Sequence, residues 1–388
     1  MEPRTVDMRT QVLRDNNSNI ESFIASSRLK EAADALLREE VVAFPTETVY
    51  GLGALWRSPK ALREIFRIKG RPQDNPLILH VCDAEMAWSL ASDVPEAAVI
   101  LAKAFWPGPL TIILPADRRV PQEVTAGLTT VGLRCPAHPI AKRLIELTGE
   151  PLAAPSANIS GRPSPTTLED ALEDLDGKVP FIIEGGASTV GLESTIVDLS
   201  HSGEAHLLRP GGITVQALDQ AFELAGLKLR VQEPVLRYGM FSLSDGEVPR
   251  APGMKYRHYA PRALVHLFSE LDVEEAAHEV REWLNARACS QPEDDSPVGL
   301  FIRDDVWGCL LNQYGESIHT GHLQVVLFSA DDQGRSAAHG LFAAFRQFDR
   351  EGCAMIGVSS LCEKGYGGAF MNRVIRAADN SSQIQANE

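Results

Sequence analysis

The 388-residue chain contains no apolar run approaching the roughly 20 residues that cross a bilayer, so no membrane-spanning helix is expected. Its N-terminal stretch, MEPRTVDMRTQVLRDNNSN, is charged and has no apolar h-region. A secretory signal is therefore not expected, and the cytoplasm is the default location. Cysteine is sparse. Cys82, Cys135, Cys289, Cys309, Cys353 and Cys362 form no C-x-x-C pair and have no clustered histidine partners. They read as reduced structural thiols, and no zinc site is expected. Positive charge is in deficit, with a net charge of −15. An acidic chain repels polyphosphate backbones at long range, which disfavours nucleic-acid binding by the whole surface. A local basic pocket for a small anion remains compatible with that total. Three familiar signatures are missing: the G-x-x-x-x-G-K-[ST] loop, a G-x-G-x-x-G turn opening a helix, and a nucleophile elbow. Any catalysis is expected to work by positioning and charge stabilisation rather than through a covalent nucleophile.

Apolar residues make up 44% of the chain, ordinary for a globular protein, and the length suggests two domains. Residues 1–20 read as a polar extension, poorly ordered at its start. A helical face (Leu29, Ala32, Ala33, Leu36, Leu37) leads into the strand-like run 41–44. Strand-like pieces at 77–81, 110–114, 131–134, 181–184 and 194–199 then alternate with helix-like pieces at 59–68, 95–105, 138–148 and 214–225. This predicts an α/β domain over 21–247, with a mixed sheet because several connections are too short for helices. The Gly-, Pro- and charge-rich stretch 248–262 reads as a linker. A second, smaller α/β unit is expected over 263–388, with 291–297 as a surface loop.

Five segments carry candidate chemistry. PTETVYGLG (45–53) sets Thr46, Glu47 and Thr48 at a strand end, where α/β proteins bind ligands, and Gly51 and Gly53 allow close backbone approach. The alternative is a polar turn with Glu47 solvated. In KGRPQDNPLILH (69–80), extended backbone around Gly70 would turn Lys69 and Arg71 towards one anion, with Asn75 able to donate and accept beside them. The alternative is a solvated helix end. His80, within an apolar strand, reads from the residues alone as a satisfied core histidine. Arg134 ends the strand TVGLR as a carboxylate clamp or, nearly as well, a surface ion-pair partner. In PSANISGRPSP (155–165), Ser156, Asn158, Ser160 and Ser164 surround Gly161, a loop able to cradle an anion without formal charge, or a flexible surface loop. Arg209 precedes a glycine pair and a helix capped by Thr214; it is a third phosphate ligand or a stem packed on the sheet.

PTETVYGLG, KGRPxxNPLxxH, PSANxSGxPSP, GLESTIVD and LLRPGGIT, in that order, resemble the YrdC-type threonylcarbamoyl-AMP synthases. APGMKYRHYAP and KGYGGAFMNRVIRAAD resemble the longer, two-domain members. The resemblance covers 25–262 strongly and 263–380 more loosely. It implies a twisted YrdC-like catalytic domain with a positively charged cavity and a smaller Rossmann-like C-terminal domain. It also implies a nucleotidyltransferase that converts ATP, L-threonine and bicarbonate or CO2 into threonylcarbamoyl-adenylate and pyrophosphate. Separate threonylcarbamoyl-transferase proteins would then modify the adenosine beside the tRNA anticodon.

The same resemblance implies that Thr46, His80, Arg134, Ala154 (through its backbone) and Ser194 hold threonine. Arg71, Asn75, Thr130, Ser156, Ser164, Arg209 and Tyr259 would hold ATP. Lys69 and Arg71 would be catalytic, and Tyr259, with His258 nearby, would form a linker lid. Mg²⁺ is expected through the ATP phosphates, with no dedicated protein ligands. No stable direct tRNA binding is expected. Two other readings are an RNA-binding module of the same pathway and a carbamoyl-adenylate enzyme of another pathway. The acidic total weighs against the first, and the lack of zinc-finger or acylphosphatase-like segments against the second.

Overall fold

The computed structural model describes residues 9–14, 20–233, 249–252, 258–290, 295–319 and 321–378. Residues 1–8 and 15–19 of the expected extension, 234–247 of the expected α/β domain, 248 and 253–257 of the expected linker and 291–294 of the expected loop lie outside them. The chain divides into two compact units. One comprises Met1–Ser160, Ser164–Val235 and Phe241–Tyr256; the other comprises Gly161–Pro163, Leu236–Met240 and Arg257–Glu388.

In the first unit the strands are β1 (Gln11–Leu13), β2 (Val42–Phe44), β3 (Gly51–Leu55), β4 (Ile78–His80), β5 (Leu110–Pro115), β6 (Thr130–Arg134), β7 (Leu152–Ala153), β8 (Phe181–Ile183), β9 (Thr195–Asp198), β10 (Ala205–Arg209) and β11 (Val231–Gln232). They form one mixed sheet in the order β1-β8-β2-β3-β7-β4-β6-β5-β9-β10-β11. The expected mixed character is present: β4 and β6 run parallel, whereas β5 and β6 run antiparallel. Strand β2 explains why its sequence is a continuous apolar run. Val42 and Phe44 pack with the helices Ser27–Leu37 and Pro139–Thr148, while Val41 and Ala43 pack on the opposite face with the helices Pro59–Lys69 and Leu168–Leu175. Successive side chains of a strand point to opposite faces, so a strand covered on both sides is apolar throughout.

Two readings change. Part of the expected polar extension is an edge strand: β1 pairs parallel with β8, and the buried Thr10 hydroxyl donates to the Val179 carbonyl at 2.7 Å. Gly51 and Gly53 lie in β3, antiparallel to β2, instead of in an open loop. A Cβ on Gly53 would come within 2.6 Å of the Phe44 ring, so the close approach these glycines permit is to a core aromatic.

The helix Pro59–Lys69 starts where the Ser58 side chain accepts from Ala61 N–H and Pro59 presets the first turn. It stops at Gly70, whose φ of 58° is the left-handed C-cap conformation. That cap fixes where Lys69 leaves the helix.

The second unit is a four-stranded parallel sheet of β12 (Leu264–Leu267), β13 (Val298–Arg303), β14 (Leu323–Phe328) and β15 (Met355–Val358), in the order β12-β15-β13-β14. Leu300 and Ile302 pack with Val280 and Trp307 from the helices Val273–Ser290 and Asp304–His319. Phe301, pointing the other way, meets Phe328 and Phe370, the latter from the helix Gly367–Ala378. The helix Arg335–Arg350 brings Phe348 so close to Gly299 that a Cβ there would lie 2.7 Å from the ring. Both faces of this sheet are therefore covered, as the all-parallel arrangement requires.

Candidate active site

The strand-end segment after β2 is locked by its own threonine. Thr46 Oγ1 accepts from the N–H groups of Thr48 (3.2 Å) and Val49 (3.3 Å) and donates to the Val49 carbonyl (2.6 Å). Such side-chain-to-backbone bonding is what Thr does well in turns. Glu47, at 7% exposure, is not the solvated turn residue that one reading of the motif allowed. Its Oε1 accepts from Arg134 Nη2 at 2.8 Å, and its Oε2 accepts from Ala137 N–H at 3.0 Å.

Arg134 and His80 are register partners at the ends of the parallel strands β6 and β4. Arg134 is 4% exposed, so its ion pair with Glu47 is buried and not at the surface, and its Nη2 also lies 3.5 Å from Thr46 Oγ1. Its Nε is buried and has no hydrogen-bond partner. Burial, reinforced by the neighbouring Arg134 charge, holds the His80 pKa down to about 3, so the imidazole is neutral at physiological pH. Its Nδ1 lies 3.3 Å from the Ile78 carbonyl. Ala154 joins the same strand ends by donating its N–H to the Ile78 carbonyl at 3.0 Å.

Lys69 and Arg71 do not share the extended geometry expected for them, because Gly70 between them is left-handed. Each serves a different loop. Lys69, 1% exposed, donates from Nζ to the Ser156 carbonyl (2.5 Å) and to the Asn158 carbonyl. Arg71 donates from Nε to the Asn75 carbonyl (3.3 Å) and from Nη2 to the Pro76 carbonyl (2.9 Å). Asn75 is itself buried, and its Oδ1 has no hydrogen-bond partner. Residues 155–158 are tied down further: Ser156 bridges to Gly51, and its hydroxyl donates to Asn158 Oδ1 at 2.5 Å. This part of the segment is fixed, contrary to the flexible-loop alternative.

A third cluster gathers around β9. The Ser164 hydroxyl donates to Glu193 Oε1 at 2.5 Å. Arg209 donates from Nε to the Ser194 carbonyl (3.0 Å), from Nη2 to the Ser194 hydroxyl (3.1 Å) and from Nη1 to the Pro252 carbonyl (3.5 Å). A Cβ on Gly211 would sit 2.4 Å from the Thr195 nitrogen, so only glycine lets the turn after Arg209 lie against β9. The expected Thr214 cap is present, accepting from Ala217 N–H. Thr130 sits four residues before Arg134 on β6 and lines a narrow cleft with Thr111, Ile196, Arg250 and Pro252. Residues 249–252 dock here: Arg250 pairs with Asp198, and Ala251 is buried with Ile78, Ile113 and Ile196.

His258 and Tyr259 belong to the second unit. There Tyr259 stacks on Phe342 with ring centroids 5.4 Å apart and lies under the Arg373 guanidinium. Sequence reasoning did not single out Glu193, Asp198 or Arg250, nor the pairing of Glu47. Each is defined by a partner at least 29 residues away, which no local spacing encodes. Among the described residues, no group of three or more His, Cys, Asp or Glu side chains is arranged to hold a metal ion.

Comparisons with known proteins agree with this architecture. A family model described as "Telomere recombination" matches residues 34–211, and one described as "Threonylcarbamoyl-AMP synthase, C-terminal domain" matches 213–379. The threonylcarbamoyl-AMP synthase of Pyrococcus abyssi is 40% identical over 360 residues, 93% of this chain and 96% of the relative. That of Bacillus subtilis is 40% identical over 351 residues, 89% and 92% of the two chains. The crystal structure of Pyrococcus abyssi Sua5 complexed with L-threonine superposes with a TM-score of 0.77 at 38% identity, covering 95% of this chain and 97% of that one. With both family models matched in order and relatives aligned over almost the full length of each chain, this protein belongs to the threonylcarbamoyl-AMP synthase family.

Proposed function

We propose that this chain joins L-threonine, bicarbonate or CO2, and ATP into threonylcarbamoyl-adenylate with release of pyrophosphate. The product would supply threonylcarbamoyl-transferase proteins acting on the adenosine beside the tRNA anticodon, and the work would be done in the cytoplasm. The observation that carries the reading is Arg134: a buried guanidinium with an unpaired Nε, beside a neutral His80. An orphaned buried donor is costly, and a substrate carboxylate would satisfy it.

On this reading Arg134 binds the threonine carboxylate. Thr46, His80, Ser194 and the Ala154 backbone surround the rest of the amino acid. Arg71, Asn75, Thr130, Ser156, Ser164 and Arg209 hold ATP, and Lys69 and Arg71 act on its phosphates. Once the threonine amine is carboxylated, the carbamate oxygen attacks the α-phosphate and pyrophosphate departs. Lys69 and Arg71 lower that barrier by neutralising phosphate charge and aligning the displaced group. The donors at Lys69, Arg71 and Arg209 are cationic, which suits a metal delivered on the nucleotide; Mg²⁺ bound to the phosphates would supply further charge neutralisation. Tyr259 and His258 are proposed as the lid that shelters the labile carbamate.

The test is pyrophosphate release with each substrate omitted in turn. Release that requires both L-threonine and bicarbonate is expected; release independent of either overturns the proposal.

A further inference from the structure

Glu47 has no assigned part in the reading above, yet its carboxylate is built into the amino-acid side. A buried charge is tolerated only when paired and hydrogen-bonded, and both oxygens of Glu47 are engaged. Oε1 takes Arg134 Nη2 at 2.8 Å, and Oε2 takes Ala137 N–H at 3.0 Å. One carboxylate thereby grips the end of β6 twice, through a side chain and through the backbone three residues later. Glu47 is itself pinned: its carbonyl accepts Val190 N–H at 2.7 Å, and the preceding Thr46 closes the local turn.

This division of labour matters for the guanidinium fork. Arg carries five donors in a fixed plane. With Nη2 committed to Glu47, the orientation of that plane is set, and Nε is left buried and unpaired. We propose that Glu47 is a positioning residue for L-threonine: it fixes the plane of Arg134 so that Nε is presented to the substrate carboxylate. The inference rests on the proposed threonine role of Arg134. Charge compensation alone would have the opposite sign, because removing Glu47 would then strengthen the attraction between Arg134 and an anion.

Two variants and two readouts decide it. Glu47→Ala removes both contacts, and Glu47→Gln keeps the shape and one acceptor. L-threonine binding by calorimetry, and KM for L-threonine and for ATP in pyrophosphate release, would be measured for each. Expected is a loss of threonine affinity of about tenfold or more in Glu47→Ala, with partial recovery in Glu47→Gln and an ATP KM within about twofold of wild type. Unchanged threonine affinity, tighter threonine binding, or an equal rise in both KM values overturns it. If Glu47→Ala does not fold, the near-isosteric Glu47→Gln decides alone by the same criteria. Wild-type protein that fails to bind L-threonine overturns the underlying reading, and this inference with it.

Discussion

Arg209 grips Ser194 twice, through its carbonyl at 3.0 Å and its hydroxyl at 3.1 Å, so a proposed nucleotide ligand holds a proposed threonine ligand in position. Arg209→Ala is therefore expected to raise the KM for both substrates, with kcat/KM falling by at least about tenfold. Arg209→Lys should restore little, since a point charge cannot make the two-pronged contact. Steady-state pyrophosphate release with each substrate varied separately checks this; an effect on ATP alone refutes the coupling.

Lys69 presents a different case. Its Nζ binds the carbonyls of Ser156 and Asn158, so its removal leaves two acceptors near the helix end without their donor. Lys69→Met keeps the apolar stem and removes the charge. It is expected to destabilise the fold by about 1–3 kcal/mol and to abolish most turnover. Denaturant unfolding and single-turnover kinetics would separate the two effects. Full stability with lost turnover would mean the carbonyl contacts contribute nothing to the fold.

His80 predicts a pH dependence of stability. Its pKa is held down to about 3, against an ordinary value of 6.5, first by burial and then by Arg134. Between those values the unfolded chain binds the proton and the folded chain does not. Stability contributed by the neutral imidazole is thus fully present above pH 6.5 and is lost as pH falls towards 3. Denaturant melts across that window should show a smaller acid loss in His80→Gln than in wild type. Parallel curves would show that His80 is not the group being titrated. Burial also lowers the His138 pKa, so the comparison with the variant is needed to isolate His80.

Arg250 ties residues 249–252 to Asp198, while the Pro252 carbonyl reaches Arg209. The Arg250 side chain is 46% exposed but that of its partner Asp198 is 2% exposed, so Arg250→Ala leaves a buried carboxylate without its cation and is expected to lower the melting temperature. The ATP KM should also rise several-fold, because Arg209 loses a neighbour that helps orient it. Thermal melts beside ATP titrations test both halves; an unchanged ATP KM refutes the positioning role.

The elements readable in the sequence were those whose periodicity met a clear break. The helix Pro59–Lys69 was legible from its apolar face and the glycine after it, and β5 and β6 from their apolar runs. The helix Asp304–His319 has no such break at its start, because it follows β13 without a turn residue between them. The strand character of Gly51–Leu55 was hidden by glycines that look like a loop until Phe44 is seen above them. At the site, the cations singled out by residue type (Lys69, Arg71, Arg134 and Arg209) are all buried, as are Thr46 and Ser194 at their strand ends. Pairings such as Glu47 with Arg134, 87 positions apart, arise only when β2 and β6 share a sheet.

Strand β6 carries Thr130 at one end and Arg134 at the other, with Gly132 between them. A strand rises about 3.3 Å per residue and does not stretch, so these two positions are held about 13 Å apart. If Thr130 touches the nucleotide and Arg134 the amino acid, the sheet is a ruler that sets the gap the carbamate must bridge. Deleting one residue from 131–133 would shorten that ruler by one step and turn one of its two ends to the opposite face. Lengthening a neighbouring loop could not repair it.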